Sequence, residues 1–376
     1  MNNELLTERA FAETIAANGG RVFRVGGCVR DQFMGITPQD LDFCIVGMVK
    51  KNFKEIFPAA KECGKSFPVF HLAIDGITCE LAFARTERKV GPGYKGFKVS
   101  SKPKVTIQDD LFRRDTTVNS IAMDCLTGEI VDPFNGAQDI KDKILRATSP
   151  HFVDDPMRAL RLAGQSARLD FKIDSETLPL ASGVIDELGD EPKERMLIEL
   201  TKVLAQAQQP GTFFEVLLET KLLPITFKEI SDLNHADFKI AMTSLNGVAK
   251  ISSCPKLRFA ALGLVLDKEG LSRWNSSMTL PSDWFDAAVT VGKMVVLLTN
   301  PSPEDIVTAI NSLRRGALGV EDFDLIMKGA ALHVLPLSPF KAAMASLSAD
   351  VPKTLIGKEI GEWLKQKHIE LISNLL

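Results

Sequence analysis

The residues best placed to do chemistry in this 376-residue chain are three carboxylates and a glycine turn. Asp40-Leu41-Asp42 leads into the β-rich run Phe43-Cys44-Ile45-Val46. Both aspartates are therefore expected at a strand start and, because strand side chains alternate with period two, on one face. Carboxylates held side by side repel each other unless a cation lies between them. Mg²⁺ is suited to such a place, taking a few carboxylates, waters and substrate phosphate oxygens. A lone Asp-x-Asp is also what a solvated acidic turn looks like, so a third acid matters. Asp75-Gly76 suits a type I′ turn between His71–Ile74 and Ile77–Ala84, which predicts a β-hairpin. Its second strand puts Glu80, Ala82 and Ala84 on one face and Cys79, Leu81 and Phe83 on the other. Small neighbours beside an acid leave room for a ligand. If the two strands are adjacent, Asp40, Asp42 and Glu80 converge on one or two metal ions, the arrangement for in-line attack of a hydroxyl on an α-phosphorus.

Val22-Phe23-Arg24-Val25 reads as a strand entering the Gly26-Gly27 turn, with Val29-Arg30-Asp31 opening a helix. Adjacent glycines let backbone N–H groups come close to a phosphate. Neither G-x-G-x-x-G nor G-x-x-x-x-G-K-[ST] occurs, which sets aside dinucleotide-binding oxidoreductases and P-loop enzymes.

The elements that must hold these groups fall into two regions. From Arg21 to about Asp132 short β-rich runs alternate with turns, whereas beyond Pro150 apolar residues recur at helical spacing, as in Met157, Leu160 and Ala163. Ser302 can cap a helix that Pro303 starts, with Ile306, Ile310 and Leu313 on one face. An α+β N-terminal part followed by all-α domains is expected, and a short link near Asn246 or Pro301 could hide a further boundary. The chain is 45% hydrophobic and 25% charged, enough for a sizeable core, and its formal net charge is -3. Any RNA-binding surface must then come from local segregation of charge. Arg85 to Asp115 offers one, with nine Lys/Arg against four acids, unless it is simply a solvated basic loop. Six cysteines without a C-x-x-C pair argue against a zinc module or a disulfide framework. No apolar run is long enough for a membrane span and the first ten residues do not read as a signal peptide, so the cytoplasm is expected.

Six segments in order carry a resemblance: GGCVRD (Gly26 to Asp31), DLD (Asp40 to Asp42), ARTERK (Ala84 to Lys89), RRDTTVNSIAMD (Arg113 to Asp124), DPFNGAQDIKDKILRA (Asp132 to Ala147) and DDPMRALRLA (Asp154 to Ala163). Together they resemble the class II CCA-adding tRNA nucleotidyltransferases and bacterial poly(A) polymerases over roughly Val22 to Leu200. GPGYKGF, Gly91 to Phe97, is similar to the γ-proteobacterial CCA-adding branch. The resemblance implies a polymerase β-like nucleotidyltransferase head over residues 1–150, a helical nucleotide-selecting neck over 151–225 and a helical tRNA-binding body and tail over 226–376. It implies metal binding by Asp40 and Asp42, with Glu80 as the third catalytic acid. Gly27, Arg30 and Arg114 would contact the nucleotide triphosphate, Asp115 would read the ribose, and Asn119 would lie nearby, although Asp115 and Asn119 could equally be capping or packing groups.

Base selection would fall to Asp155 and Arg158, at i and i+3 just inside a helix that Pro156 starts. A carboxylate accepts from an exocyclic amine and a guanidinium donates to ring acceptors, which suits cytosine and adenine over uracil and guanine. Arg161 is suited to phosphate. The plainer alternative is a surface helix with an i, i+3 ion pair. Family members usually carry Glu-Asp where this chain has Asp154-Asp155. The branch often appends a phosphohydrolase marked by a His-Asp pair, but Ala261 to Leu271 reads ALGLVLDKEGL, so no such activity is expected. The function implied is addition of CCA to tRNA from CTP and ATP with Mg²⁺, with no membrane or protein partner. A-adding or poly(A) polymerase activity is the alternative, followed by a non-catalytic RNA-binding relative.

Overall fold

The computed structural model describes residues 5–38, 40–64, 69–91, 93, 96–347, 352 and 354–376. Pro92, Tyr94 and Lys95 of the GPGYKGF segment lie outside them. The chain forms two compact units, Met1–Ser166 with Phe171–Glu191 and Ala167–Asp170 with Pro192–Leu376.

The first unit is built on a seven-stranded mixed sheet in the order β3-β4-β5-β2-β1-β8-β9. Its strands are β1 (Arg21–Val25), β2 (Asp42–Val46), β3 (Lys61–Cys63), β4 (Val69–Ile74), β5 (Ile77–Phe83), β8 (Ala122–Asp124) and β9 (Ile130–Val131). A separate hairpin, β6 (Thr86–Lys89) with β7 (Phe97–Ser100), and a small parallel pair, β10 (Ile144–Leu145) with β11 (Lys172–Ile173), complete the strands among the described residues. The turn predicted at Asp75-Gly76 is present, both residues having positive φ (50° and 78°), as a type I′ turn demands.

Alternation sorts the side chains by face. Phe43, Ile45, Phe70, Leu81 and Phe83 pack with Phe11 and Ile15 of α1 (Glu8–Ala17) and with Phe53 of α3 (Lys50–Ile56). The opposite face carries Phe23, Val25, Cys44 and Ala122, covered by Ile107 and Leu111 of α4 (Ile107–Phe112). Each face buries a slab of apolar side chains, which is what fixes strand register in a two-sided sheet. Thr106 and Asp109 form a capping box that starts α4. α2 (Gly27–Phe33) follows β1, and α5 (Gly136–Asp142) and α6 (Met157–Leu169) follow the sheet.

The second unit is helical. The helix foreseen after Ser302 spans Pro303–Arg315, with a capping box between Ser302 and Asp305 and with Ile306, Ile310 and Leu313 buried. Asn246 is not at a boundary. It lies inside the helix His235–Ala249, where its side-chain oxygen accepts from Gly211 N at 2.7 Å. Arg258, 4% exposed, ties the core together by donating to the carbonyls of Ser252, Leu204, Ala207 and Ala249 at 2.7–3.1 Å. Asp267, in the stretch compared with a phosphohydrolase, caps the helix Lys268–Met278. Among the described residues no helix is long and apolar enough to cross a membrane.

Candidate active site

β2 and β5 are parallel neighbours, and their register sets Asp42 directly opposite Glu80. Paired residues in a ladder project to the same side, so the two carboxylates share the face that carries Cys44 and Ala84. Asp40 is not in the strand as expected. It is exposed in a bend two residues before β2 begins, and only Asp42 is fixed by the ladder. Burial, then repulsion from Glu80 and Asp40, pushes the Asp42 carboxyl above the usual carboxylate range, against the pull of Arg114. A divalent cation would relieve that crowding, so the donor set fits one. Among the described residues no three His, Cys, Asp or Glu side chains enclose an ion by themselves. A cation here would lean on water and substrate oxygens, as Mg²⁺ does.

The glycine turn lies beside these acids. Gly26 has φ 74°, ψ −130°, a conformation open to glycine alone, and a Cβ there would meet Arg114 Nη1 at 2.9 Å. The helix starts at Gly27, two residues earlier than Val29. A Cβ on Gly27 would make only ordinary contact with Arg30. Arg30 donates to Asn119 Oδ1 at 2.7 Å and to Asp31 at 2.6 and 2.9 Å. Asn119 in turn donates to Asp115 Oδ1 at 3.3 Å, placing Arg30, Asn119 and Asp115 in one network. Asn119 ends a single 3₁₀ turn, Thr117–Asn119.

Asp115 also accepts from Thr116 N, Arg161 Nε and Gln165 Nε2 at 2.8, 3.3 and 3.0 Å. Burial works to raise its carboxyl, but Arg161, the Thr116 N–H and Asn119 outweigh that and hold it below the usual range. Arg161 bridges Asp115 and Asp155, donating to Asp155 Oδ2 at 2.8 Å. Asp155 itself is extended (φ −115°, ψ 108°) and precedes α6, its Oδ1 accepting from Met157 N at 3.0 Å. The expectation that Asp155 and Arg158 both stand inside one helix is thus corrected: Asp155 caps the helix and pairs with Arg161. Arg158 is buried, donating to the carbonyls of His151 and, at 2.6 Å, Arg113. Burial, then the nearby Arg161, lowers its pKa against the pull of Asp155. Arg158 borders a cavity of ≈ 170 Å³ that is also lined by Thr86, Glu87, Phe97, Phe112 and His151.

One group central to this site drew no notice in the sequence. Asp110, 1% exposed, accepts from Arg85 N at 3.1 Å, from Arg113 at 2.6 and 3.0 Å and from Arg114 at 3.0 and 3.3 Å. Its burial would raise its pKa, yet Arg113 and Arg114 hold it below the carboxylate range. The spacing of Asp110 to Arg113 and Arg114, i to i+3 and i+4 on a helix, was the available signal. Arg113 also donates to Glu87 at 3.1 Å, and Lys89 to Glu187 at 2.5 and 2.7 Å. Four of the nine cations of the basic segment, Arg85, Lys89, Arg113 and Arg114, are therefore paired with acids within the fold.

The sheet, the paired acids and the arginine-lined glycine turn define a nucleotidyltransferase. Comparison agrees: residues 22–146 match the poly A polymerase head domain, and residues 170–233 match the probable RNA and SrmB-binding site of polymerase A. The CCA-adding enzyme of Marinobacter nauticus is 32% identical over 382 residues, spanning 95% of this chain and 99% of that protein. The CCA-adding enzyme of Coxiella burnetii is 35% identical over 302 residues, 78% of this chain and 76% of that one. The chain belongs to the CCA-adding enzyme family. Among solved structures, a tRNA-processing enzyme in an apo form aligns with TM-score 0.71 at 21% identity, over 97% of this chain and 96% of that one. The Thermotoga maritima CCA-adding enzyme complexed with tRNA aligns with TM-score 0.69 at 20% identity, over 98% and 93%.

Proposed function

We propose that this protein adds C, C and A to the 3′ end of tRNA from CTP and ATP without a nucleic-acid template, releasing pyrophosphate. The observation that carries the chemistry is the parallel register of Asp42 with Glu80, on a face where burial and the neighbouring acids raise the Asp42 carboxyl and Arg114 pulls against them. Asp40 and Asp42 would hold Mg²⁺, with Glu80 beside them as the third catalytic acid. Mg²⁺ in this place would lower the pKa of the attacking 3′-hydroxyl and neutralise charge on the phosphates.

The rest falls to side chains. The Gly26-Gly27 turn lets the triphosphate approach the backbone, Arg30 and Arg114 bind its oxygens as fixed cations, and Asp115 with Asn119 orients the ribose. A guanidinium has five N–H donors. The two carbonyl bonds of Arg158 lock its plane and leave donors for the base edge, while Asp155 accepts the exocyclic amine and Arg161 bridges Asp155 to Asp115. The same proposal assigns residues 1–150 to the catalytic head, 151–225 to the selecting neck and 226–376 to a body and tail that hold tRNA, and places the protein in the cytoplasm.

Purified protein with Mg²⁺ is offered tRNAs lacking CCA, or ending after C or CC, with one nucleotide at a time. Extension by C, C and A in turn is expected. Arg158→Ala is expected to lower the preference for CTP over UTP by about tenfold or more, the loss of one specific polar contact. An equal loss of rate for both nucleotides with unchanged preference would remove the selecting role. Incorporation of A alone, or of long A tracts, would favour an A-adding or poly(A)-forming enzyme instead.

A further inference from the structure

Beyond the catalytic acids, the same sheet face carries a second cluster. Of the six cysteines only Cys63, on β3, is exposed. Its Sγ lies 3.5 Å from Nδ1 of His71 on β4. The other ring nitrogen of His71, Nε2, lies 3.5 Å from Glu80 Oε1 on β5. Register explains the chain of contacts: His71 is the direct partner of Glu80, and Cys63, paired with Val69, is the diagonal neighbour of His71 on the same face. A core or a turn needs no such sequence of thiol, imidazole and carboxylate across three strands.

The geometry points to a site for one thiophilic divalent cation, Zn²⁺ being the natural occupant, held by Cys63 Sγ and His71 Nδ1 with water completing the shell. A zinc ion at its usual distances from S and N, about 2.3 and 2.05 Å, would subtend about 107° between donors 3.5 Å apart, close to tetrahedral. Glu80 supplies what a ligating histidine normally has, a carboxylate facing its second nitrogen, which keeps the proton on Nε2 and the lone pair on Nδ1. Binding converts the Cys63 thiol to a thiolate and releases its proton to solvent. Lys61, the register partner of His71, shares the face but is exposed and can turn away on its long stem. Occupation ties Glu80 to the zinc-bound imidazole and so restrains it from serving the nucleotide site. This last consequence rests on the catalytic role proposed for Glu80. Cation binding does not.

The test uses Co²⁺ on the full-length reduced protein, read by the sulfur-to-cobalt charge-transfer absorption that only thiolate ligation gives. One equivalent is expected to develop the band, Zn²⁺ to bleach it, Cys63→Ser to abolish it, and His71→Ala to weaken Co²⁺ binding at least about tenfold. Cys63 is exposed and His71 half-buried on an outer face of the sheet, outside its apolar core, so the variants are expected to retain the fold, which circular dichroism checks. No band, or a band surviving in Cys63→Ser, overturns the site. Unchanged affinity in His71→Ala does the same. In the transfer assay, Zn²⁺ added to Mg²⁺-supported reactions is expected to inhibit the parent at least about tenfold more strongly than Cys63→Ser. Equal inhibition of both overturns the coupling to Glu80. Absence of transfer without zinc would instead count against the proposed function.

Discussion

Asp110→Asn isolates the least conspicuous part of the site. The carboxylate is 1% exposed and receives four guanidinium contacts and one backbone N–H. Asparagine keeps the shape but replaces one acceptor oxygen with an NH₂ that faces a guanidinium. Charge-assisted hydrogen bonds contribute about 1.5–3 kcal/mol each, and breaking a buried ion pair costs about 3–5 kcal/mol. Arg113 and Arg114 keep side-chain exposures of 17% and 21%, so water recovers part of the loss. The expected destabilisation is therefore at the low end, about 3 kcal/mol. The variant also unfastens Arg114, so the KM for CTP is expected to rise about tenfold, the equivalent of one such contact weakened by 1.4 kcal/mol. Equilibrium urea unfolding and steady-state incorporation on a tRNA lacking CCA measure the two effects. A destabilisation below about 0.5 kcal/mol, the level of an ordinary surface change, together with an unaltered KM would refute the clamp.

Asp42→Asn is expected to abolish transfer yet raise the stability of the metal-free protein. The native Asp42 carboxyl lies above its unfolded value, so its ionised form opposes folding at neutral pH; a fall in melting temperature would contradict this. Arg258→Met should cost about 3–5 kcal/mol, because it strands the carbonyls of Leu204, Ala207, Ala249 and Ser252 inside the second unit, and a urea midpoint unchanged from the parent would show them satisfied otherwise. Asp110, Asp115 and Asp124 all lie below the usual carboxylate range. Their contribution is complete above the unfolded value of about 4 and is lost as pH falls through their native values, so the urea midpoint should drop as pH falls below about 4. A flat profile there would mean the three carboxylates are not held as described.

What the sequence could disclose was whatever is periodic or local. The Asp75-Gly76 hairpin, the face shared by Glu80 and Ala82 and the Ser302 cap depend on residues within a few positions, and each is present as expected. That β2 and β5 are neighbours was only conditional, because strand order is a property of the whole sheet. Asp155 was misplaced by two residues: its carboxylate satisfies the first free N–H of α6, and a residue doing so stands outside the helix. The i, i+3 spacing suggests that Arg158 points the same way as Asp155, but burial makes the carbonyls of His151 and Arg113 its partners, and backbone acceptors leave no mark in a sequence. The basic segment looked like an open surface because charge composition does not show that Glu87, Asp110 and Glu187 are folded against it.

The most direct measurement gives the protein a tRNA lacking CCA together with all four nucleoside triphosphates and Mg²⁺, and sequences the product 3′ ends. Addition of C, C, A and then arrest, absent in Asp42→Asn, is the predicted result. No extension, incorporation of U or G, or transfer that survives Asp42→Asn would contradict the account.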